Sequence, residues 1–151
     1  MEKTNKSKNI IICFNRDFVP YYVKDKLTLN SLDYHSISIY VDSQFSSKKG
    51  LTDKSDTSIY SLENKGNILL SDCFEFIKRA DSLVVLNYEK NNIKGYIDSF
   101  SFINMVFANI LSKKVVVLNN VMNNVTCYPE ISLIKTISLK GNIKNISNYI
   151  Y

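Results

Sequence analysis

The sequence predicts an α/β domain in which helices cover both faces of a parallel sheet. Short, uninterrupted apolar runs at 9–14, 82–87 and 115–118 are typical of strands buried on both faces. Segments with helical periodicity alternate with these runs, as expected for parallel strands joined by crossover helices. With 151 residues, of which 45% are hydrophobic and 22% charged, the chain has the composition of a single globular domain.

The first half of the chain predicts two strands, one helix and a long connection. Run 9–14 is the first strand, and a helix follows over 18–32, where Pro20 falls in the first turn and is tolerated. Alternating, β-branched residues at 36–41 predict a second, less buried strand. The polar segment 42–67 predicts a long loop, and loops of this length commonly serve as lids or binding loops.

Helices and strands alternate again in the second half. Ser71 is expected as the N-cap of a helix that ends at Arg79, and run 82–87 is the third strand. A polar loop, 88–98, leads to a helix over 99–112 whose apolar residues recur every three or four positions. The remaining elements are a strand at 115–118, a short helix at 129–133, a weak strand at 135–139 and a final helix at 143–151.

Right-handed crossovers arrange these five strands most simply in the order 2-1-3-4-5. The expected architecture is therefore a three-layer α/β/α, Rossmann-like (flavodoxin-like) domain that spans 1–151. Ligands of such sheets bind beyond the carboxyl ends of the strands, where the strand order reverses. The loops that leave the first and third strands are the place to look for a site.

The basic charge of the chain does not indicate a nucleic-acid-binding protein. The net charge is +5, but 17 of the 19 basic residues are lysines, and these are scattered along the sequence. Proteins that read nucleic acids usually rely on arginine for bidentate contacts. Lysine, asparagine and isoleucine together fill 53 of the 151 positions, which is typical of an AT-rich genome.

Neither a metal site nor an organic cofactor is indicated. Cys13, Cys73 and Cys127 lie far apart, and His35 is the single histidine, so no pair has metal-ligand spacing. Glycine-rich phosphate-binding motifs are missing from the sequence. Cys13 and Cys73 are expected to be small buried apolar side chains.

The sequence predicts a cytoplasmic protein with no membrane association. No window of about 18 apolar residues is present. The polar segment 1–8 does not have the character of a secretory signal, and we expect it to be a flexible N-terminus.

Polar side chains gather at the predicted carboxyl edge of the sheet. Asn15, Arg16 and Asp17 follow the first strand, and Asn87 and Tyr88 follow the third. The helix after loop 88–98 adds two further candidates.

These two candidates are Asp98 and Asn104, which could both face a pocket at the N-terminal end of that helix. A purely structural role is an alternative for each. Asp98 could cap the helix, and Asn104, which interrupts an apolar stretch, could bond a loop backbone.

The segment 72–118 resembles the nucleoside 2-deoxyribosyltransferase-like family, which includes the deoxynucleoside monophosphate N-glycosidases. The resemblance is carried by ADSLVVLNY at 80–88, GYI at 95–97, FINMVFA at 102–108 and KKV at 113–115. The stretch 139–146, in which a strand leads through a glycine-containing turn into a final helix, is similar to the family's ending.

The resemblance implies enzymes that cleave the bond between a base and deoxyribose. In such enzymes a helix glutamate attacks the anomeric carbon, and a nearby carboxylate holds the sugar or protonates the base. The matching nucleophile position here is Asn104, whose amide is uncharged and a poor nucleophile. Asp98 matches an aspartate at the pocket edge of some members, and Asp72 lies near an aspartate at a helix start.

The first loop also departs from the family. A small pair that admits a sugar or phosphate is replaced by Phe14 and Asn15, which narrows the space for a ligand. Asn15, Arg16, Asp72, Asn87 and Tyr88 are the substrate-binding candidates. The resemblance further implies a homodimer or larger homo-oligomer, in which a neighbouring subunit completes the pocket, and a reaction that needs no cofactor.

Three functions remain open from the sequence. The first is a nucleoside- or nucleotide-binding protein that has lost catalysis at Asn104. The second is an active N-glycosidase or deoxyribosyltransferase in which Asp98 replaces the missing glutamate. The third is a protein-interaction module without a small ligand. Exposed side chains among the ten tyrosines and eight phenylalanines could form its contact surface.

Overall fold

The computed structural model describes residues 8–43, 57–61 and 67–150. Its strands are β1 (Lys8–Asn15), β2 (Tyr34–Ser43), β3 (Thr57–Ser61), β4 (Asn67–Ile68), β5 (Ser82–Leu86), β6 (Lys114–Val117) and β7 (Thr136–Ser138). Its α-helices are α1 (Val19–Ser31), α2 (Leu70–Arg79), α3 (Ser99–Ile110) and α4 (Tyr128–Ile131). Two 3₁₀ helices, Arg16–Phe18 and Ile143–Asn148, complete the described elements.

The strands form one sheet in the order β4-β3-β2-β1-β5-β6-β7. Five neighbouring strands of this sheet pair in parallel, in the order β2-β1-β5-β6-β7. This arrangement confirms the predicted order 2-1-3-4-5. Because β2 lies on one side of β1 and β5 on the other, the strand order reverses between β1 and β5. The carboxyl ends of these two strands therefore frame the position at which ligands bind in open α/β sheets.

The prediction of a continuous loop over 42–67 was wrong at the residues of this segment that the structure describes. β3 lies inside this segment and pairs antiparallel with β2, and β4, which begins at Asn67, pairs antiparallel with β3. Residues 44–56 and 62–66 of the predicted loop lie outside the described residues, as do residues 1–7 of the predicted N-terminal segment. The run TSIYS at 57–61 has β propensity, but a run this short forms a strand only if a partner edge is available. Here the edge of β2 provides it.

Most other elements differ from the sequence-based expectation by one or two residues at an end, and α2 is an example. α2 begins at Leu70, one residue before the predicted N-cap Ser71. The predicted terminal helix is a short 3₁₀ helix, Ile143–Asn148. Its N-terminus is fixed by Asn142, whose Oδ1 accepts a hydrogen bond from the backbone nitrogen of Lys144 at 3.0 Å.

Apolar side chains of the central strands alternate between two core layers. On one face, Ile11 and Cys13 of β1 pack with the buried sides of α2 and α3. On the other face, Ile10, Ile12 and Phe14 pack with α1 and the C-terminal 3₁₀ helix. Each fully buried side chain of this size contributes about 1.5–3 kcal/mol. The sheet therefore has a core layer and helices on each face, which is the three-layer α/β/α arrangement. This packing holds the carboxyl ends of β1 and β5 side by side.

None of the helices in the described part of the chain has the length and apolarity that crossing a membrane requires.

Candidate functional site

The candidate site lies where β1 and β5 end and α3 begins. Four polar side chains meet there: Asn15 from β1, Asp17 from the following 3₁₀ helix, Lys90 from the loop after β5, and Asp98 at the start of α3. We call these four residues the edge cluster. Tertiary structure brings them together, since they come from three separate segments of the chain.

Asn15 and Asp98 form the centre of the edge cluster. The Asn15 amide nitrogen donates a hydrogen bond to Oδ2 of Asp98 at 2.9 Å. Asn15 Oδ1 accepts a hydrogen bond from the backbone nitrogen of Asp17 at 3.0 Å, which fixes the orientation of the amide. Both side chains are half-buried, so they retain access to solvent.

Asp98 also begins α3 as its N-cap. Its Oδ1 accepts a hydrogen bond from the backbone nitrogen of Ser101 at 2.7 Å, and its backbone is extended, as N-cap residues are. The capping role considered for Asp98 from the sequence is therefore present. The same carboxylate also holds Asn15, so capping and site geometry depend on one side chain.

Lys90 supplies the positive charge of the edge cluster. Its Nζ lies 2.7 Å from Asp17 Oδ2 and 3.4 Å from Asn15 Oδ1, and 5.5 Å from the centre of the Tyr96 ring. Lys90 is not among the site residues predicted from the sequence.

A tight turn positions Lys90. Lys90 and Ile93 form a two-residue bridge in which Asn91 and Asn92 have φ values of 52° and 61°. Asparagine tolerates this left-handed conformation, and two such residues in succession are typical of a type I′ turn. The pair Asn91-Asn92 was the sequence signal that could have placed Lys90 beside the first loop.

Asn104 lies in the core between α3 and β1 and is fully buried. Its Nδ2 donates to the carbonyl oxygen of Phe100 at 2.9 Å and lies 3.8 Å from Cys13 Sγ. Its Oδ1 has no hydrogen-bond partner among the described residues. The alternative role considered from the sequence, a bond to a loop backbone, is not seen among the described residues, since the acceptor Phe100 belongs to the same helix.

A short chain of contacts connects Asn104 to the edge cluster. The Cys13 thiol donates to Ser101 Oγ at 3.4 Å, and the backbone nitrogen of Ser101 bonds Asp98. Burial raises the pKa of the Cys13 thiol well above its usual value, and the nearby negative charge of Asp98 raises this pKa further. Cys13 is therefore a buried thiol that stays protonated at neutral pH, as expected from the sequence.

Asn87 connects the loops that follow β5 and β6. It is fully buried, and its Nδ2 donates to the carbonyl oxygens of Asn119 at 2.8 Å and Gly95 at 3.3 Å. In return, the backbone nitrogen of Asn119 donates to Asn87 Oδ1 at 2.9 Å, and Asn119 Nδ2 donates to the Asn87 carbonyl at 3.0 Å. Asn87 thus organises the edge of the sheet through bonds within the protein.

Tyr88 faces α1. Its hydroxyl donates to the carboxylate of Asp25, and its ring packs edge-on against Phe18 with centroids 5.3 Å apart. Burial raises the pKa of the Tyr88 hydroxyl far above its usual value, and the hydrogen bond to Asp25 raises this pKa further.

The other two candidates are exposed. Arg16 lies in the 3₁₀ helix directly after β1. Asp72 lies in the first turn of α2, where Oδ2 accepts a hydrogen bond from the backbone nitrogen of Leu69 at 2.8 Å. Of the seven predicted site residues, the structure joins Asn15 directly with Asp98. Asn87 and Tyr88 bond other elements, and Asp72 bonds the residue that precedes its own helix.

Within the described segments, no group of three or more histidine, cysteine or acidic side chains is placed to hold a metal ion.

No protein-family model and no curated protein sequence matches this chain. Among solved structures, the chain is similar to the CMP N-glycosidase BcmB of Clostridium botulinum, with 12% sequence identity and a TM-score of 0.48. The similarity covers 92% of this chain and 99% of that chain. The α/β fold described above rests on this chain's own strand order.

Proposed function

We propose that this chain binds a nucleoside or nucleotide at the edge cluster without cleaving its glycosidic bond. The observation that carries the proposal is the Asn15–Asp98 hydrogen bond, with Lys90 beside it, at the point where the strand order reverses. The resemblance of segment 72–118 to nucleoside 2-deoxyribosyltransferase-like proteins supports the same ligand class.

The chemistry of the edge cluster suits a sugar. Sugar hydroxyls both donate and accept hydrogen bonds, and Asp98 accepts while Asn15 both accepts and donates. Lys90 adds three donors, and its present bond with the exposed Asp17 can be exchanged for a ligand oxygen, since exposed ion pairs are weak. A hydroxyl-rich ligand therefore finds complementary groups on the ends of β1, β5 and α3.

Two features support the loss of cleavage. The resemblance implies a nucleophilic glutamate at position 104, and the amide of Asn104 offers no charged oxygen. Asp98, the alternative nucleophile, accepts one hydrogen bond on each carboxylate oxygen. Such bonds stabilise the carboxylate and make it a weaker nucleophile.

Binding and cleavage are tested separately. Deoxynucleosides and their monophosphates are titrated by calorimetry, and released base is measured by chromatography after long incubation. We expect saturable binding and no free base. Base release that Asp98→Ala abolishes contradicts the loss of cleavage, and failure of every nucleoside and nucleotide to bind contradicts the whole proposal in favour of a protein-interaction module.

A matched pair of variants locates the site. Asp98→Asn keeps an oxygen for capping α3 but removes the charge and one acceptor, so we expect ligand affinity to fall about tenfold. Asp33→Asn removes an exposed carboxylate between α1 and β2, at the other end of the sheet, and is expected to leave affinity unchanged. Equal losses in both variants contradict binding at the edge cluster.

We also propose that the chain forms a homodimer or larger homo-oligomer, as the family resemblance implies. The exposed apolar side chains Val23 and Leu27 on α1 support a contact surface. Light scattering at several protein concentrations tests this proposal, and a monomer mass at the highest concentration contradicts it.

A further inference from the structure

A cavity opens at the carboxyl ends of β5, β6 and β7. Its volume is about 530 Å³, within the usual range for small-molecule sites. Three loops form its walls and contribute Lys94, Asn120 and Lys140 among the lining residues. None of the lining residues belongs to the edge cluster, although Glu89 of the lining and Lys90 of the edge cluster are neighbours in the loop after β5.

The walls of this cavity are held in fixed positions. Asn87 bonds the Gly95 carbonyl on one loop and both backbone polar groups of Asn119 on the next. These two loops approach so closely that a Cβ atom added to Gly95 would lie 2.3 Å from the carbonyl oxygen of Asn120. A cavity built on such a network needs little ordering when a ligand binds.

Two lysines give this cavity a positive potential. Lys94 and Lys140 are exposed, and neither ammonium group has an ion-pair or hydrogen-bond partner among the described residues. Glu89 is the acidic residue of the lining and leaves a net charge of +1. The Asn120 amide adds neutral hydrogen-bonding capacity, and Met122, which is 47% exposed, adds an apolar surface.

The backbone at Lys140 is unusual. Lys140 has φ 53°, a left-handed conformation that L residues with a Cβ atom disfavour and glycine adopts freely. Glycine at this position therefore relaxes the backbone while removing the ammonium group. Because glycine suits this backbone conformation, loss of binding in Lys140→Gly can be assigned to the missing ammonium group, and not to unfolding.

We propose that this cavity binds a small molecule through a phosphate group placed between Lys94 and Lys140. Lysine ammonium groups bind phosphate as point charges, Asn120 provides a neutral donor, and Met122 contacts the apolar part of the ligand. The proposal is independent of the proposed function, because none of these residues belongs to the edge cluster.

Amide NMR titration tests the proposal with three probes: inorganic phosphate, ribose 5-phosphate and ribose. We expect saturable shifts at Gly95 and Gly141 with both phosphate probes and no saturation with ribose. Equal affinity for the two phosphate probes identifies free phosphate as the ligand chemistry, whereas tighter binding of ribose 5-phosphate identifies a phosphate ester. No saturation by either phosphate probe up to about 20 mM, well above the dissociation constant of a specific site, overturns the proposal.

Variants distinguish a specific phosphate site from general attraction of phosphate by the positive charge of the protein. Lys140→Gly is expected to weaken phosphate binding about tenfold while the protein stays folded. Glu89→Gln is expected to strengthen binding a few-fold, about as much as one exposed charge interaction allows. Lys135→Gln, which removes an exposed lysine outside the lining, is the control and is expected to have no effect.

Equal weakening by Lys140→Gly and Lys135→Gln overturns the proposal, since net charge then explains the binding. Asp98→Asn distinguishes the two sites, because it is expected to weaken nucleoside binding and leave the phosphate-induced shifts at Gly141 unchanged. Loss of those shifts in Asp98→Asn overturns the separation of the two sites.

Discussion

The amide nitrogen of Asn15 lies 2.9 Å from Oδ2 of Asp98, and the hydrogen bond between them joins residues that are 83 positions apart in the sequence. It connects the last residue of β1 with the N-cap of α3, at the place where the strand order reverses. Because Asp98 also caps α3 through Ser101, one carboxylate sets both the start of the helix and the geometry of the edge cluster.

Asp98→Ala is expected to lower the free energy of unfolding by about 2 kcal/mol, since it removes an N-cap and a charged hydrogen bond together. Urea denaturation measures the change. Asp98→Asn keeps a capping oxygen, and we expect it to cost about half as much. If the two variants lose the same free energy, the capping bond from Ser101 to Asp98 contributes nothing to stability, which contradicts the capping role.

Asn104→Leu is expected to leave the free energy of unfolding unchanged or to raise it by up to about 1 kcal/mol. The change removes a buried amide whose Oδ1 has no partner among the described residues, and it introduces an apolar side chain of similar shape. Chemical denaturation tests the prediction, and a loss of several kcal/mol indicates that the amide has a partner or role that the described contacts do not account for.

Asn104→Asp is expected to be destabilising by about 3 kcal/mol at pH 7, since it buries a carboxylate. Burial raises the folded-state pKa of such a group above its unfolded value, so the folded protein binds more protons and the loss shrinks as the pH falls. Asn104→Glu is expected to produce no base release, because position 104 is fully buried. Base release by this variant shows instead that position 104 faces a ligand.

Gly95→Ala is expected to cost about 3 kcal/mol, and Gly141→Ala about 1 kcal/mol. Both glycines have positive φ, at 67° and 83°. At Gly95 an added Cβ also lies 2.3 Å from the backbone oxygen of Asn120, whereas at Gly141 the nearest atom is a side-chain oxygen at 3.2 Å. Thermal unfolding of the two variants gives the comparison, and a larger loss at Gly141 contradicts the close approach of the two loops.

Tyr88→Phe is expected to lower the free energy of unfolding by about 1 kcal/mol near neutral pH, because Asp25 loses a hydrogen-bond donor. The folded-state pKa of Tyr88 is raised, so its contribution is fully present below the unfolded tyrosine pKa of about 10 and is lost as the pH rises further. Denaturation of both proteins from pH 7 to 11 checks this. A difference that grows above pH 10 contradicts the raised pKa.

Much of the sheet could be predicted from local sequence. The runs around Ile12, Val84 and Val116 are apolar without interruption because both faces of these central strands are buried, and this pattern needs no knowledge of distant residues. The order 2-1-3-4-5 followed from the handedness of crossovers. β3 was missed because a five-residue strand at an edge is decided by its partner, β2.

The candidate site was predicted in part. Asn15 and Asp98 could be placed at the same edge of the sheet, because the predicted strand order puts the loops after the first and third strands side by side. Lys90 could not be placed there, because its position depends on a turn through Asn91 and Asn92. The surroundings of Asn104 could not be read from the sequence either. Its side chain points from α3 into the core and is fully buried, which depends on how α3 packs against β1.

The sequence by itself determined the class of fold, since apolar runs and helical periodicity are local properties that burial on one or both faces imposes. Only the tertiary structure decided which polar side chains share a site. Hydrogen bonds such as that from Asn15 to Asp98, and the bonds that Asn87 makes to Asn119, join residues that no local pattern relates, because their geometry depends on how separate loops pack together.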